Sequence, residues 1–276
     1  MKQWQVKLAR GADFLQPTNI TTAQLGEYRG PSRFHAASLN CRDIMIGTYF
    51  WDTKHGIVDE VVKSKPKVTR SVIGHLVSPI FHLIHHAGSL GSTYDGVVRQ
   101  YAFNEQACVE IPSNLSYREA AALPCAVVTA WNALYKGPIK CCRSTGGINI
   151  FALQFANMGG TQVIATTGNA EKAAKLKAEG ADHVITYKED PRYGGTAKEV
   201  SDRGPWADFV TEIVTIDGQI AVIGSRADVQ ESPYAGLHTT STMIIRGVLV
   251  GSRQLNDAIN TAIKINNLHP VIESRV

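Results

Sequence analysis

The residues best suited to chemistry stand together at 144–168, STGGINIFALQFANMGGTQVIATTG. A small-residue turn with Gly146 and Gly147 leads into an apolar run that predicts a helix over 148–158. Gly159-Gly160 ends that helix, and a β-branched run then predicts a buried parallel strand over 162–167. Glycines at such a turn let a dinucleotide pyrophosphate approach the backbone, and the helix N-terminus offers it unpaired N–H groups and the positive end of a dipole. The chemistry would be that of a nicotinamide nucleotide. Ser144 stands where the full fingerprint has its first glycine, so a helix-capping glycine pair in some other α/β protein is the competing reading.

Other chemistries find less support. The five cysteines, Cys41, Cys108, Cys125, Cys141 and Cys142, form neither a C-x-x-C pair nor a disulfide framework, so reduced thiols and a cytoplasmic setting are expected. The segment FHLIHH carries His82, His85 and His86 at helix-like spacing. No carboxylate or thiolate lies close in sequence, so a loop is expected there and no metal. Lys and Arg exceed Asp and Glu by 28 − 24 = 4, a mild basic balance that suits an anionic cofactor and falls short of a nucleic-acid footprint. Lys63, Lys65, Lys67 and Arg70 have no aromatic residues between them and read as a solvated surface. The N-terminal MKQWQVKLAR lacks the apolar core of a signal peptide, and no apolar run is long enough to span a bilayer, so no membrane partner is expected.

The elements that must position the glycine turn follow from periodicity. Short strands are expected at 4–8, 34–39, 58–62, 96–103 and 107–111, punctuated by Gly30-Pro31 and Pro112-Ser113-Asn114, as in a small, mostly antiparallel β domain. Ser116 and Glu119 have the spacing of a capping box before an Ala-rich helix; Pro124 is expected to break it, and 125–135 to continue as an apolar helical bridge. Beyond the 162–167 strand, Asn169 caps a helix with Lys172 at its third position. Gly180 ends it before a strand at 184–187. Strands at 207–212 and 219–224 are too close for a parallel crossover, so they form a hairpin or a helix is missing. A strand at 243–250 and a helix at 255–266 close the series, with Leu255, Ala258, Ile259, Ala262 and Ile263 on one face and Pro270 as the stop.

Taken in order, AALPCAVVTAWNALY (121–135), STGGINIFALQFA and KAAKLKAEGADHVITYKED (172–190) resemble the medium-chain dehydrogenase/reductase superfamily. The closer likeness is to its zinc-independent, alcohol dehydrogenase-like and quinone oxidoreductase-like branch. HAASLNCRD (35–43), VVRQYAFNEQACVEIPSNLS (97–116) and RGVLVGSRQ (246–254) extend the likeness over most of the chain. It implies an α/β fold: a GroES-like catalytic β domain over 1–123, a Rossmann-type parallel-sheet NAD(P)-binding domain over 124–268 and a truncated return to the catalytic domain over 269–276. It also implies hydride transfer between NADPH and a small-molecule carbonyl, alcohol or activated alkene, and a homodimer.

The resemblance also assigns residues. Zinc alcohol dehydrogenases have a cysteine where this chain has Asn40, a Gly-His-Glu segment that it lacks, and a second cysteine matched by Cys125. One thiolate cannot hold Zn²⁺, so no zinc is expected and Cys125 becomes a packing residue. Asn40 and Arg42, beside Asp43, are the catalytic candidates, with Cys41 in place of the family's tyrosine. Asn40 would donate to a substrate oxygen or else satisfy a local turn. Thr129 matches a threonine that lies against the nicotinamide, although a helix threonine bonded to its own backbone is the plainer alternative. At the end of the 162–167 strand, Thr166 and Thr167 stand where a carboxylate would clasp the ribose of NAD. Lys172 and Tyr187 match positions that bind the 2′-phosphate, which favours NADPH over NADH. Gly146, Gly147, Gly224, Ser225, Val250 and Gly251 complete the expected cofactor-binding set.

The chain also departs from the pattern. The strand before the glycine turn is reduced to 139–143, segments before His35 and after Val58 look excised, a helix before Gln219 is missing, and the chain ends at Val276 ahead of the family's closing elements. Both domains are therefore expected to be incomplete. A catalytically inactive dehydrogenase-like protein with at most a binding role is the alternative these departures raise.

Overall fold

Short strands separated by turn formers pair with their sequence neighbours in the first part of the chain. The structure, a computed structural model, describes residues 2–6, 15–19, 32–38, 40, 57–61, 76–79, 108–135, 147–190, 193–200, 218–223 and 244–272. Strands β1 (Lys2–Val6) and β2 (Leu15–Asn19) form one antiparallel pair. Strands β3 (Ser32–Ala37), β4 (Ile57–Val61), β5 (Leu76–Pro79) and β6 (Cys108–Glu110) form an antiparallel sheet in sequence order. The expected strands near 4–8, 34–39, 58–62 and 107–111 are therefore present, shifted by a residue or two. Strands β2 and β5 are additions; each contains a proline, which weakens a strand signal. The expected strand at 96–103 lies outside the described residues. A bulge between Phe34 and Ala36 throws His35 out of the β3–β4 register. The His35 ring stacks on Tyr117, with centroids 4.3 Å apart and planes 7° from parallel.

Helix α1 (Tyr117–Ala121) starts with the expected capping box: Ser116 Oγ accepts from the Glu119 N–H, and Glu119 Oε2 accepts from the Ser116 N–H at 2.8 Å. Pro124 does not break the chain into two helices, contrary to expectation. The backbone widens into a π-type turn over Leu123–Val127, where Val127 N–H donates to Ala122 O at 3.3 Å, and runs on into α2 (Val128–Tyr135). A wider turn tolerates the N–H that proline lacks and gives its ring room.

By its contacts the chain falls into two units, Met1–Val128 with Val250–Val276, and Thr129–Leu249. Unit two has its own layers. Helix α3 (Gly147–Met158) ends at Gly160 (φ +67°), with Thr161 N–H on Ala156 O and Gly160 N–H on Asn157 O. Strand β7 (Ile164–Thr167), helix α4 (Ala170–Ala178) and strand β8 (His183–Thr186) follow, and β7 and β8 pair in parallel. Leu153 and Ala156 of α3, Leu176 of α4, and Val163 and Ala165 are buried together on one face of the pair. Ile164, Ile185 and Ala197 of helix α5 (Tyr193–Val200) form the opposite core. Helix α5 escapes sequence reading because Gly194 and Gly195 interrupt its pattern. Strands β9 (Gln219–Ile223) and β10 (Ile244–Val248) form a second parallel pair, and the expected strand at 207–212 lies outside the described residues. Helix α6 (Arg253–Asn266), capped by Ser252, closes the series. It buries Asn256, Ile259 and Ile263; Ala258, expected on that face, is exposed. It ends in the left-handed Asn267 (φ +46°), three residues before Pro270.

Candidate dinucleotide site

The site grows from the alternation of β7. Successive strand residues face opposite sides, so Thr167 lies on the face of Ala165, toward α3 and α4, and Thr166 on the face of Ile164, toward α5. Thr166 and Thr167 are buried, 3 % and 1 % exposed, and among the described residues neither hydroxyl has a hydrogen-bond partner. Buried hydroxyls are ordinarily paired, so two orphans at the end of one strand mark a place where polar groups of a ligand fit. Helix α3 packs on the β7 face through Leu153 and Ala156, and the Gly159-Gly160 turn joins the two. At the α3 N-terminus Gly147 has open space: among the described residues a Cβ would meet nothing within 4 Å, so they do not demand glycine there and a ligand could approach the backbone.

The turn from β7 into α4 carries the charge. Asn169 caps α4, its Oδ1 accepting from the Lys172 N–H at 2.8 Å, so the amide is committed to the backbone. Lys172 is exposed, and among the described residues its ammonium makes no ion pair; Glu171, the acidic residue of that turn, is exposed beside it. Tyr187 follows β8, and its N–H donates to Thr167 O at 3.0 Å. Its ring lies over Gly168 and 6.0 Å from the Tyr193 ring. Thr166, Thr167, Lys172 and Tyr187 are thus brought to one edge of one two-stranded sheet.

The remaining candidates distribute as follows. Thr129 is buried in α2, in the same unit. Helix α2 is held to α3 by Trp131 against Phe155 (5.0 Å, edge to face) and by Tyr135 Oη donating to Phe155 O at 2.9 Å; burial pushes the Tyr135 phenol pKa up. Arg246 of β10 closes the last turn of α2, donating through Nη2 to Asn132 O at 2.6 Å and through Nη1 to Asn132 Oδ1 at 3.1 Å. A cation there complements the carbonyl end of the helix. Asn40, Val250 and Gly251 belong to the first unit. Asn40 Nδ2 donates to Ser38 O and Oγ at 3.4 and 3.3 Å, and Ser38 Oγ to Ala121 O at 2.9 Å. Val250 has φ +48°, a rare state for a β-branched residue. A Cβ on Gly251 would collide with Val128 Cγ2. Arg42, Gly146, Gly224 and Ser225 lie outside the described residues.

Gly168 and Tyr193 are absent from the residues the sequence singles out. Gly168 is visible within TTGN, yet nothing local says that the ring of Tyr187, just beyond β8, lies on it. Among the described residues no three His, Cys, Asp or Glu side chains could together hold a metal ion, and no helix is long and apolar enough to cross a membrane.

Comparison with known proteins agrees with this architecture. The family described as zinc-binding dehydrogenase matches residues 147–265. A zinc-type alcohol dehydrogenase-like protein of Schizosaccharomyces pombe is 33% identical over 210 residues, 67% of this chain and 60% of that protein. A Bacillus subtilis protein named as a quinone oxidoreductase is 36% identical over 123 residues, 41% of this chain and 37% of its own length. The chain therefore spans less than two thirds of these curated relatives. A crystal structure described as an alcohol dehydrogenase from Sinorhizobium meliloti 1021 matches 98% of this chain and 90% of that one, with TM-score 0.84 and 25% identity. With that fold, GroES-like and Rossmann-type parts together, over nearly its whole length, and with alcohol dehydrogenase-like and quinone oxidoreductase-like relatives, the chain belongs to the medium-chain dehydrogenase/reductase superfamily.

Proposed function

We propose that the chain is an oxidoreductase that binds NADPH in preference to NADH at the edge where β7 ends, and that it acts on a carbonyl, alcohol or activated alkene without catalytic zinc. The superfamily implies a nicotinamide dinucleotide, and the observation that carries the site is the pair of buried hydroxyls of Thr166 and Thr167, without partners among the described residues, together with the exposed Lys172, which makes no ion pair among them. When bound, the nicotinamide supplies or accepts the hydride. The chain's own residues orient and hold. Gly147 leaves the α3 N-terminus open to the pyrophosphate, Gly146 joins it by its place in the glycine turn, and the Thr167 hydroxyl gains a ribose partner that it lacks among the described residues. No carboxylate stands at 166–169 to repel a 2′-phosphate, and Lys172 attracts one. Tyr187 adds a phenolic donor. Thr129, Gly224, Ser225, Val250 and Gly251 join the cofactor set by their matches to the superfamily.

At the substrate end, the Asn40 amide donates to Ser38 over 3.3–3.4 Å, and by its match to the superfamily it would donate to a substrate oxygen. Arg42 lies two residues on. An amide at Asn40 in place of a thiolate is what supports the zinc-free reading.

Thermal unfolding with and without each dinucleotide tests the proposal. NADPH at a hundredfold excess over its Kd should add about 2.7 kcal/mol to stability. NADH at the same concentration should add less, and turnover on simple enals, quinones or ketones should survive a zinc chelator. No shift with either dinucleotide would overturn the oxidoreductase reading.

A further inference from the structure

Gly168 joins β7 to α4 with an ordinary backbone: the glycines of positive φ among the described residues are Gly160 and Gly180. Conformation therefore does not call for glycine at 168. The neighbouring ring does, because a Cβ there would stand 2.6 Å from Tyr187 Oη and 3.0 Å from Tyr187 Cζ. Atoms do not approach so closely unless one of them moves. The Tyr187 backbone is anchored by its N–H to Thr167 O, so it is the phenol that would swing away. On its other side the ring meets Tyr193, tilted by 50°, and Tyr193 is itself packed against the core of Ile164, Ile185 and Ala197. The phenol is thus confined between a bare backbone and a braced ring, and its hydroxyl lies at the turn that also carries Lys172.

We propose that Gly168 and Tyr193 are positioning residues which hold the Tyr187 hydroxyl at the β7–α4 turn and thereby set the preference for a phosphorylated ribose over a bare one. This rests on the NADPH reading above. A phenol held in place gives up little freedom when it donates to a 2′-phosphate oxygen, whereas a displaced one is lost to that contact. A bare ribose offers no such oxygens, so displacement weakens NADPH binding and leaves NADH binding alone.

The dissociation constants of both dinucleotides, measured by calorimetry on the full chain, test this in Gly168→Ala, Tyr193→Leu and Lys172→Ala. Gly168→Ala and Tyr193→Leu should each weaken NADPH about tenfold, the equivalent of one hydrogen bond to a charged acceptor, with NADH unchanged. In a Tyr187→Ala background Gly168→Ala should have no further effect. Equal weakening of both dinucleotides, or an undiminished Gly168→Ala effect without the phenol, would overturn the proposal. If Lys172→Ala weakens NADPH while the other two variants do not, the cofactor reading stands and this inference alone fails. If Lys172→Ala leaves NADPH untouched, the cofactor reading itself fails. Should Gly168→Ala not fold, Tyr193→Leu decides the matter by the same comparison.

Discussion

Thr167 ends β7 with its hydroxyl buried and unpartnered, a state that costs the cofactor-free protein free energy. Valine has nearly the same shape and no hydroxyl to leave unpaired. Thr167→Val should therefore raise the stability of the cofactor-free protein by about 1 kcal/mol, read from the urea midpoint at unchanged slope. On the proposed cofactor reading the same variant should also reduce the stabilisation conferred by NADPH, since the hydroxyl would then meet the ribose. A variant no more stable than wild type, with undiminished NADPH stabilisation, would mean that the hydroxyl finds water and takes no part in binding. At this scale the sequence shows the residue types at the strand end and the absent carboxylate. It does not show that both hydroxyls are orphaned, because satisfaction of a buried group depends on what packs around it. Nor does it show the engagement of Asn40 with Ser38 or the left-handed backbone of Val250, since neither has a local signature.

Helix ends are the most legible elements of this chain, because they are written in residues with one physical use. Gly159-Gly160, Asn169, Gly180 and the Ser116–Glu119 box all act where the sequence places them. Elements that break their own pattern are not legible: α5 contains two glycines, β2 and β5 contain proline, and Pro124 widens a helix that it was expected to end. Gly180 shows how an end also joins two elements. Its φ is +97°, its successor Ala181 donates to Leu176 O at 3.0 Å, and a Cβ would collide with Asn157 Nδ2, which itself donates to Glu179 O at 3.1 Å. Gly180→Ala should thus carry two separable penalties, backbone strain and a collision with α3's last turn. We expect a loss of about 2 kcal/mol, of which about 1 kcal/mol, the backbone part, persists when Asn157→Ala removes the obstacle. Chemical denaturation of the single and double variants checks this, and strictly additive losses would show that the Asn157 contact is immaterial.

Over the whole molecule, the chain's later residues return to its earlier ones in the first unit, and here local reading is weakest. The amphipathic face of α6 announces that the helix is buried, but its partners lie some 150 residues away and leave no trace in local periodicity. Asn260 Nδ2 donates to Glu110 O at 2.6 Å, Asn114 Nδ2 to Asn267 Oδ1 at 3.2 Å, and His269 Nδ1 meets Glu119 Oε1 at 2.8 Å. Glu119 therefore serves twice, capping α1 and tying it to the residues after α6. Burial alone would raise its pKa; the hydrogen bonds from the Ser116 side chain and backbone, with that from His269 and its charge, outweigh burial and hold the carboxyl below its usual 4.5. A carboxylate with a lowered folded-state pKa contributes stability that is fully present above the unfolded value and lost as pH falls through the folded one. Glu119→Ala should accordingly cost about 1 kcal/mol near neutral pH, the usual cost of a lost cap. That deficit should shrink progressively below pH 4.5, as the wild-type carboxyl is protonated and gives up the same contacts. Urea midpoints of the two proteins measured from pH 7 down to pH 3 decide it: titrating groups that do not touch Glu119 cancel in the difference, and a deficit constant across that range would show that α1 is held to the returning chain by packing and not by this charge.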